Sequence, residues 1–328
     1  MNIRWKTFLL SQTATIDNEN HVFFPRIGGG GERNIYPLTH LVVLTVTGKD
    51  AAKLLQGQIT CNVNDISAAK SSLAAMCNPK GRAIATFLLV KKADTFLLVL
   101  PVELLETVKK RLQMYVLRSD VKIMDSSDEL CILGLFEPGT PTQAFSTETQ
   151  EDLISINFPA LARRKLLITD VDNAIRYCSE QVDHHDFKMA DSDKWRYLDI
   201  SSGIPWLTTE TSEEFIPQML NLDKLGGISF NKGCYTGQEI VARTHYLGKS
   251  KREMFLAECQ TSTPPKPNSS IVNRNSEEQE VVGKVLSAQQ KSHNCKLLVI
   301  LQNTETTYDN LALQDDKAAQ ITLLPFQA

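Results

Sequence analysis

The string Lys232-Gly233-Cys234-Tyr235-Thr236-Gly237-Gln238-Glu239 sets one thiol between a lysine and a glutamate, with a glycine on each side. The thiolate is the nucleophilic and metal-binding form of cysteine, and a nearby cation or a helix N-terminus favours it. Lys232 supplies the cation. The apolar run Ile240-Val241-Ala242 predicts a short helix with Gln238 and Glu239 in its first turn. Cys234 would then lie just ahead of the helix N-terminus, with Glu239 opposing the effect. Gly233 and Gly237 permit tight or left-handed backbone that larger residues resist, so the string reads as built to place side chains. The residues alone leave two readings open. Cys234 is either a reactive thiol or a small buried hydrophobe, the usual fate of a free cysteine.

Other residues could also do chemistry. Trp195 and Leu198 share one face of a predicted helix over 191–200, where a tryptophan is either core or a stacking surface for a flat ligand. His184-His185 sits in D-H-H-D and reads as a solvated loop, because adjacent residues point different ways. Arg243, His245, Lys249, Lys251 and Arg252 form a basic run. It is either an ordinary solvated linker or, with Lys232, a face for RNA phosphates. Gly28–Gly31 is a glycine run with no G-K-[ST] after it, so it reads as a surface loop rather than a phosphate loop. Seven cysteines at 61, 77, 131, 178, 234, 259 and 295 contain no C-x-x-C pair. No metal site is expected, and scattered single cysteines suit a reducing compartment.

These residues need a scaffold. The chain has 328 residues, is 42% hydrophobic and 22% charged, and carries a formal net charge of -3, which argues against a wholesale nucleic-acid binder. The apolar run after Met1 is cut short by Ser11 and Gln12, too soon for a signal-peptide core, and no stretch is apolar enough to span a membrane. The expected location is cytoplasmic. Strands are expected at 41–46, 72–77, 82–90, 95–100, 121–124, 130–136, 153–158 and 165–169. Asn78-Pro79-Lys80-Gly81 forms a turn between the second and third of these. A short helix carries Leu54 and Leu55, and a longer one starts at Pro101 and runs to Arg118. A second helical stretch is expected at 213–225, kinked or restarted at Pro217. After Tyr246 only short strands remain, at 253–258, 281–288, 296–301 and 320–324, which reads as an antiparallel barrel or sandwich. The boundary falls near 246, giving 1–246 as a mixed region and 247–328 as a β domain.

Residues 221–243, N-L-D-K-L-G-G-I-S-F-N-K-G-C-Y-T-G-Q-E-I-V-A-R, resemble the signature of the YgfZ family. L-T-V-T-G-K-D-A-A-K-L-L-Q-G-Q-I-T at 44–60, N-P-K-G-R at 78–82, L-R-S-D-V at 117–121 and S-G-I-P-W at 202–206 follow in family order. The resemblance covers most of residues 41–252. It implies an α+β fold like that of the glycine-cleavage T-protein, an aminomethyltransferase. That fold is a three-domain cloverleaf with a C-terminal antiparallel β-barrel and a central folate pocket. The first two domains would divide near 125–135 and could be discontinuous in sequence. The resemblance also implies a folate-binding accessory role in iron–sulfur cluster maintenance and tRNA thiomethylation. Its partners would be folate and iron–sulfur enzymes, and the basic run leaves RNA contact open through Arg243, Lys249, Lys251 and Arg252. Cys234, with Lys232, becomes the key residue within the motif Gly233, Tyr235, Gly237, Gln238 and Glu239. Trp195 falls where relatives carry a pocket tryptophan. A second pocket tryptophan is replaced by Leu41. Ser201 stands where relatives carry a glutamate able to accept two hydrogen bonds from a pterin, which Ser cannot do. The alternative is a true aminomethyltransferase. That chemistry needs an acid–base group shortly after the N-P-K-G-R turn. The matching stretch, Ala83-Ile84-Ala85-Thr86-Phe87, holds no carboxylate.

Overall fold

The apolar runs around residues 41–101 form a sheet with the strand order Ser72–Cys77, Ala83–Lys92, Thr95–Pro101, Leu41–Thr47, Lys122–Asp125. Every residue of Ser72–Cys77 and the first eight of Ala83–Lys92 are buried. Their lack of polar–apolar alternation is what burial on both faces requires. The computed structural model describes residues 1–25, 33–160, 162–248, 250–274, 280–291, 294–303, 308, 310–316 and 318–326. The glycine run Gly28–Gly31 and Lys249 lie outside the described residues.

Contacts divide the chain into two compact groups. The first holds Met1–Leu54, Val63–Ser72 and Leu88–Arg196. The second holds Leu55–Asn62, Leu73–Phe87 and Tyr197–Ala328. The strand Ala83–Lys92 therefore gives its first half to the second group and the rest to the first.

The first group contains a six-stranded sheet in the order Thr147–Gln150, Leu153–Asn157, Arg163–Asp170, Leu130–Glu137, Asn34–Pro37, Lys188–Met189. Only the last pairing is parallel. Two helices absent from the sequence reading share a core with this sheet. Ile3–Ser11 is capped by Asn2, whose side chain accepts from the Arg4 and Trp5 amides. Val171–His184 is capped by Asp170, which accepts from the Asn173 amide. Val171, Ala174 and Cys178 meet Trp5, Leu9, Ile35, Leu133 and Leu167 in one cluster, a helical-period stripe facing the sheet. His184 and His185 thus close a helix rather than lying in a loop, His184 as its last residue and His185 as its C-cap.

In the second group, Arg252–Gln260, Asn294–Gln302, Val281–Lys291, Ser270–Asn273, Leu311–Leu313 and Gln320–Leu324 close into an antiparallel barrel. Ala257, Val285, Leu297, Val299, Leu301 and Ile321 help fill its core. The short strands Ser270–Asn273 and Leu311–Leu313 were not foreseen. The helix expected at 213–225 is only a 3-10 turn, Pro217–Leu220. Asn221 leaves it in the left-handed region at φ 54°. Gln218 donates to the Val241 carbonyl at 2.6 Å and Asn221 to the Met254 carbonyl at 2.9 Å. These long-range bonds are ones a continuous helix would not have placed. Among the described residues, no helix is long and apolar enough to cross a membrane.

Candidate functional site

Cys234 lies in an irregular segment just ahead of the helix Gln238–Tyr246, whose N-cap is Gly237. Gly237 sits at φ 84° and has no room for a side chain. A Cβ there would come within 2.6 Å of the Asn78 carbonyl oxygen and 2.9 Å of Cys77 Cβ. The turn 78–81 packs directly against this helix start. Gly81, at φ 72°, would put a Cβ 2.7 Å from Ile240 Cβ. Asn78 shapes the turn by accepting on its side-chain oxygen from the Lys80 amide at 2.9 Å and the Arg82 amide at 3.1 Å. Two sequence blocks about 150 residues apart thus meet glycine to glycine.

A third block, 57–61, is stitched to the same segment. Lys232 is buried, and its ammonium donates to the Ile59 and Cys61 carbonyls at 2.7 Å each while lying 5.0 Å from the centre of the Tyr235 ring. Burial pushes the Lys232 ammonium down to about 8, with Cys61 acting weakly in the other direction. Tyr235 is buried too, and burial raises its phenol. The Thr236 amide donates to the Gly57 carbonyl at 3.1 Å and its hydroxyl to Gln58 Oε1 at 3.2 Å. Gln238 Oε1 reaches back to accept from the Tyr235 amide at 3.3 Å.

The motif therefore divides its labour. Lys232, Tyr235, Thr236 and Gly237 anchor it, whereas Gly233, Cys234 and Glu239 face solvent. Cys234 is exposed and the other six cysteines are buried. Burial pushes the Cys77 and Cys131 thiols up to about 12, and raises Cys178 further. The Lys232 ammonium, expected beside the thiol, is engaged by carbonyls of another block. Gly233 is free of close neighbours, so only Gly237 of the two glycines is sterically required. The contributions of Gln58, Ile59, Cys61 and Asn78 were missed, since no local spacing signals pairing across such separations.

Trp195 is fully buried. The Arg164 guanidinium carbon lies 3.8 Å over its ring, and Tyr36 and Phe158 pack at 5.8 and 5.9 Å between ring centres. A Cβ on Gly134 would fall 2.3 Å from Trp195 Cε3. Leu41 is 4% exposed and paired with Pro101 in its sheet. Neither side chain offers a face to a pterin, so stacking on Trp195 does not fit this arrangement. Ser201 is half-buried and engaged. Its hydroxyl donates to the Tyr197 carbonyl at 2.7 Å and accepts from Lys296 Nζ at 3.1 Å. In the stretch after the turn, Thr86 is buried. Its hydroxyl donates to the Pro205 carbonyl at 2.6 Å and accepts from the Leu207 amide at 3.1 Å. Among the described residues, no three His, Cys, Asp or Glu side chains gather as a metal site.

The GCVT N-terminal domain family matches residues 33–176. The tRNA-modifying protein YgfZ of Colwellia psychrerythraea is 30% identical over 307 residues, 90% of this chain and 94% of that protein. The chain belongs to the YgfZ family. The aminomethyltransferase T of the glycine cleavage system from Bartonella henselae superposes with a TM-score of 0.78. That match covers 99% of this chain and 96% of that one at 11% identity. At that identity it establishes the fold alone. The mixed α+β fold of the T-protein type with a closed six-stranded C-terminal barrel is thus the architecture on which this YgfZ-family chain carries its exposed cysteine.

Proposed function

We propose that this chain is a YgfZ-type accessory factor for tRNA modification, supporting the iron–sulfur enzymes that thiomethylate tRNA, and that Cys234 is its working residue. The observation that carries this reading is the presentation of Cys234. Its neighbours Lys232 and Tyr235 are buried and bonded into other blocks, while the thiol itself stands in solvent. A cysteine serving only as packing would be buried like the other six. An exposed thiol on a fixed backbone can attack a disulfide or an electrophile, or enter a metal's ligand set.

The test has two arms. Alkylation by iodoacetamide under native conditions, read by peptide mass spectrometry, is expected to label Cys234 well before the other six. In cells lacking the native protein, Cys234→Ser is expected to stay folded but fail to support tRNA thiomethylation. A Ser variant that complements as well as the parent defeats the reading.

Folate enters the proposal through the family and its T-protein-like fold. The residues expected to hold it are packed, as Trp195 and Leu41 are, or engaged, as Ser201 is. A tetrahydrofolate titration followed by calorimetry tests it, and no heat of binding would remove folate. The aminomethyltransferase reading is disfavoured by Thr86, whose hydroxyl is consumed by backbone where an acid would be needed.

A further inference from the structure

The helix that begins at Gly237 ends in an exposed aromatic cluster. His245 stacks on Phe230 with ring centres 3.6 Å apart and planes 11° from parallel. Tyr246 lies nearly perpendicular to both rings, its centre 4.7 Å from His245 and 6.2 Å from Phe230. Phe230 precedes the Cys234 segment, so the segment and helix double back until their two ends touch. Tyr246 is 62% exposed and Leu247 83%. Arg243 is also exposed. It lies three residues before Tyr246, which places the two on one helical face, with Leu247 following as the C-cap.

Tyr246 and Leu247 are adjacent in the chain and both open to solvent, so they offer apolar surface to a partner. The surrounding charge indicates which partner. Over 238–252 the sequence carries Arg243, Lys249, Lys251 and Arg252 against a single acid, Glu239, in a chain whose net charge is -3. The Arg243 and Lys251 side chains are exposed and have no ion-pair partner among the described residues. An exposed aromatic ring beside unpaired cations is how proteins hold unpaired nucleotides. The base stacks on the ring and the phosphates meet the cations.

We propose that Tyr246, backed by the His245–Phe230 stack and flanked by Arg243, is a stacking platform for an unpaired nucleotide of RNA. Nothing in the motif's own chemistry requires this cluster. It rests on the tRNA-modification reading and adds to it a direct RNA contact at the far end of the helix that follows Cys234.

The experiment is a fluorescence-anisotropy titration of the full chain with a fluorescein-labelled single-stranded RNA 12-mer at low salt, and with the same 12-mer annealed into a duplex. Binding of the single strand is expected to exceed that of the duplex, whose base faces are hidden. Tyr246→Ala should weaken single-strand binding by about 5- to 150-fold, the usual range for losing one base–aromatic stack. Tyr246→Phe should bind like the parent. Arg243→Gln should lower the slope of log K against log salt by about 0.7. No binding by the parent, equal affinity for the duplex, or an unchanged Tyr246→Ala would each overturn the platform. The titration uses neither an iron–sulfur enzyme nor Cys234 chemistry, so its failure and failure of the accessory-factor reading are separate results.

Discussion

Replacing either glycine of the Cys234 string by alanine adds the same single methyl group, yet the two variants should behave oppositely. At Gly237 the new Cβ would meet the Asn78 carbonyl oxygen at 2.6 Å, Cys77 Cβ at 2.9 Å and Gly81 Cα at 3.0 Å, none of them the end of a flexible side chain. Forcing alanine into a left-handed backbone costs about 1–2 kcal/mol, and overpacking a tight contact adds about 1–3 kcal/mol. Gly237→Ala should therefore destabilise by about 2–5 kcal/mol, a large part of the roughly 5–15 kcal/mol typical of a native protein. At Gly233 no atom lies within 4 Å of the added carbon and φ is not positive. Gly233→Ala should be neutral or stabilise by about 0.4–1 kcal/mol, through the reduced freedom of the unfolded chain. Urea unfolding followed by circular dichroism measures both, with the midpoint shifting and the slope unchanged. Variants equal within about 0.5 kcal/mol, or Gly233→Ala as the weaker protein, would refute the claim that the helix start is wedged against the 78–81 turn.

Three further outcomes follow from burial. Lys232 is held near 8 when folded against an ordinary value of 10.5, so between those limits the unfolded chain binds a proton that the folded chain has shed. Stability should rise with pH across that window, by up to about 3 kcal/mol, and stay flat below it. Lys232→Met should abolish the rise in pH-dependent urea titrations. His40, half-buried with both ring nitrogens shielded from solvent and neither bonded among the described residues, is held well below 6.5, first by desolvation of the ring and then by Arg196 and His21. Stability should fall as pH drops below 6.5, and His40→Phe should flatten that loss in thermal melts at stepped pH. Trp195→Ala should cost about 3–5 kcal/mol as a core truncation. Any tetrahydrofolate affinity, measured on the folded fraction, should be unchanged, and a selective loss of affinity would place the indole in a ligand site.

Strong local signals were legible. The apolar and β-branched run 41–46 specifies a strand by composition, and Asn78-Pro79-Lys80-Gly81 specifies its own turn. The helix Val171–His184 was legible in principle. Asp170 caps it and Val171, Ala174 and Cys178 repeat at helical spacing, but D-H-H-D drew the reading toward a loop. The 213–225 stretch misled in the opposite direction. Its helical pattern yields to Pro217, to left-handed Asn221 and to the hydrogen bonds that Gln218 and Asn221 make far along the chain. At the site, the string around Cys234 was visible but its anchors were not. Lys232 reads as the thiol's neighbour in sequence, yet in space its ammonium belongs to Ile59 and Cys61. Phe230 likewise joins His245 only because the chain turns back at the glycine.

The bond from Lys232 to the Ile59 carbonyl spans 173 residues. A ribosome adding about 5–20 residues per second needs roughly 10–35 s to bridge that gap. For most of that interval 57–61 and the 78–81 turn exist without the segment that completes them, and the apolar strand 72–77 lies between them. The cysteine segment cannot take its final shape until nearly three quarters of the chain exists, so the thiol is configured late in synthesis.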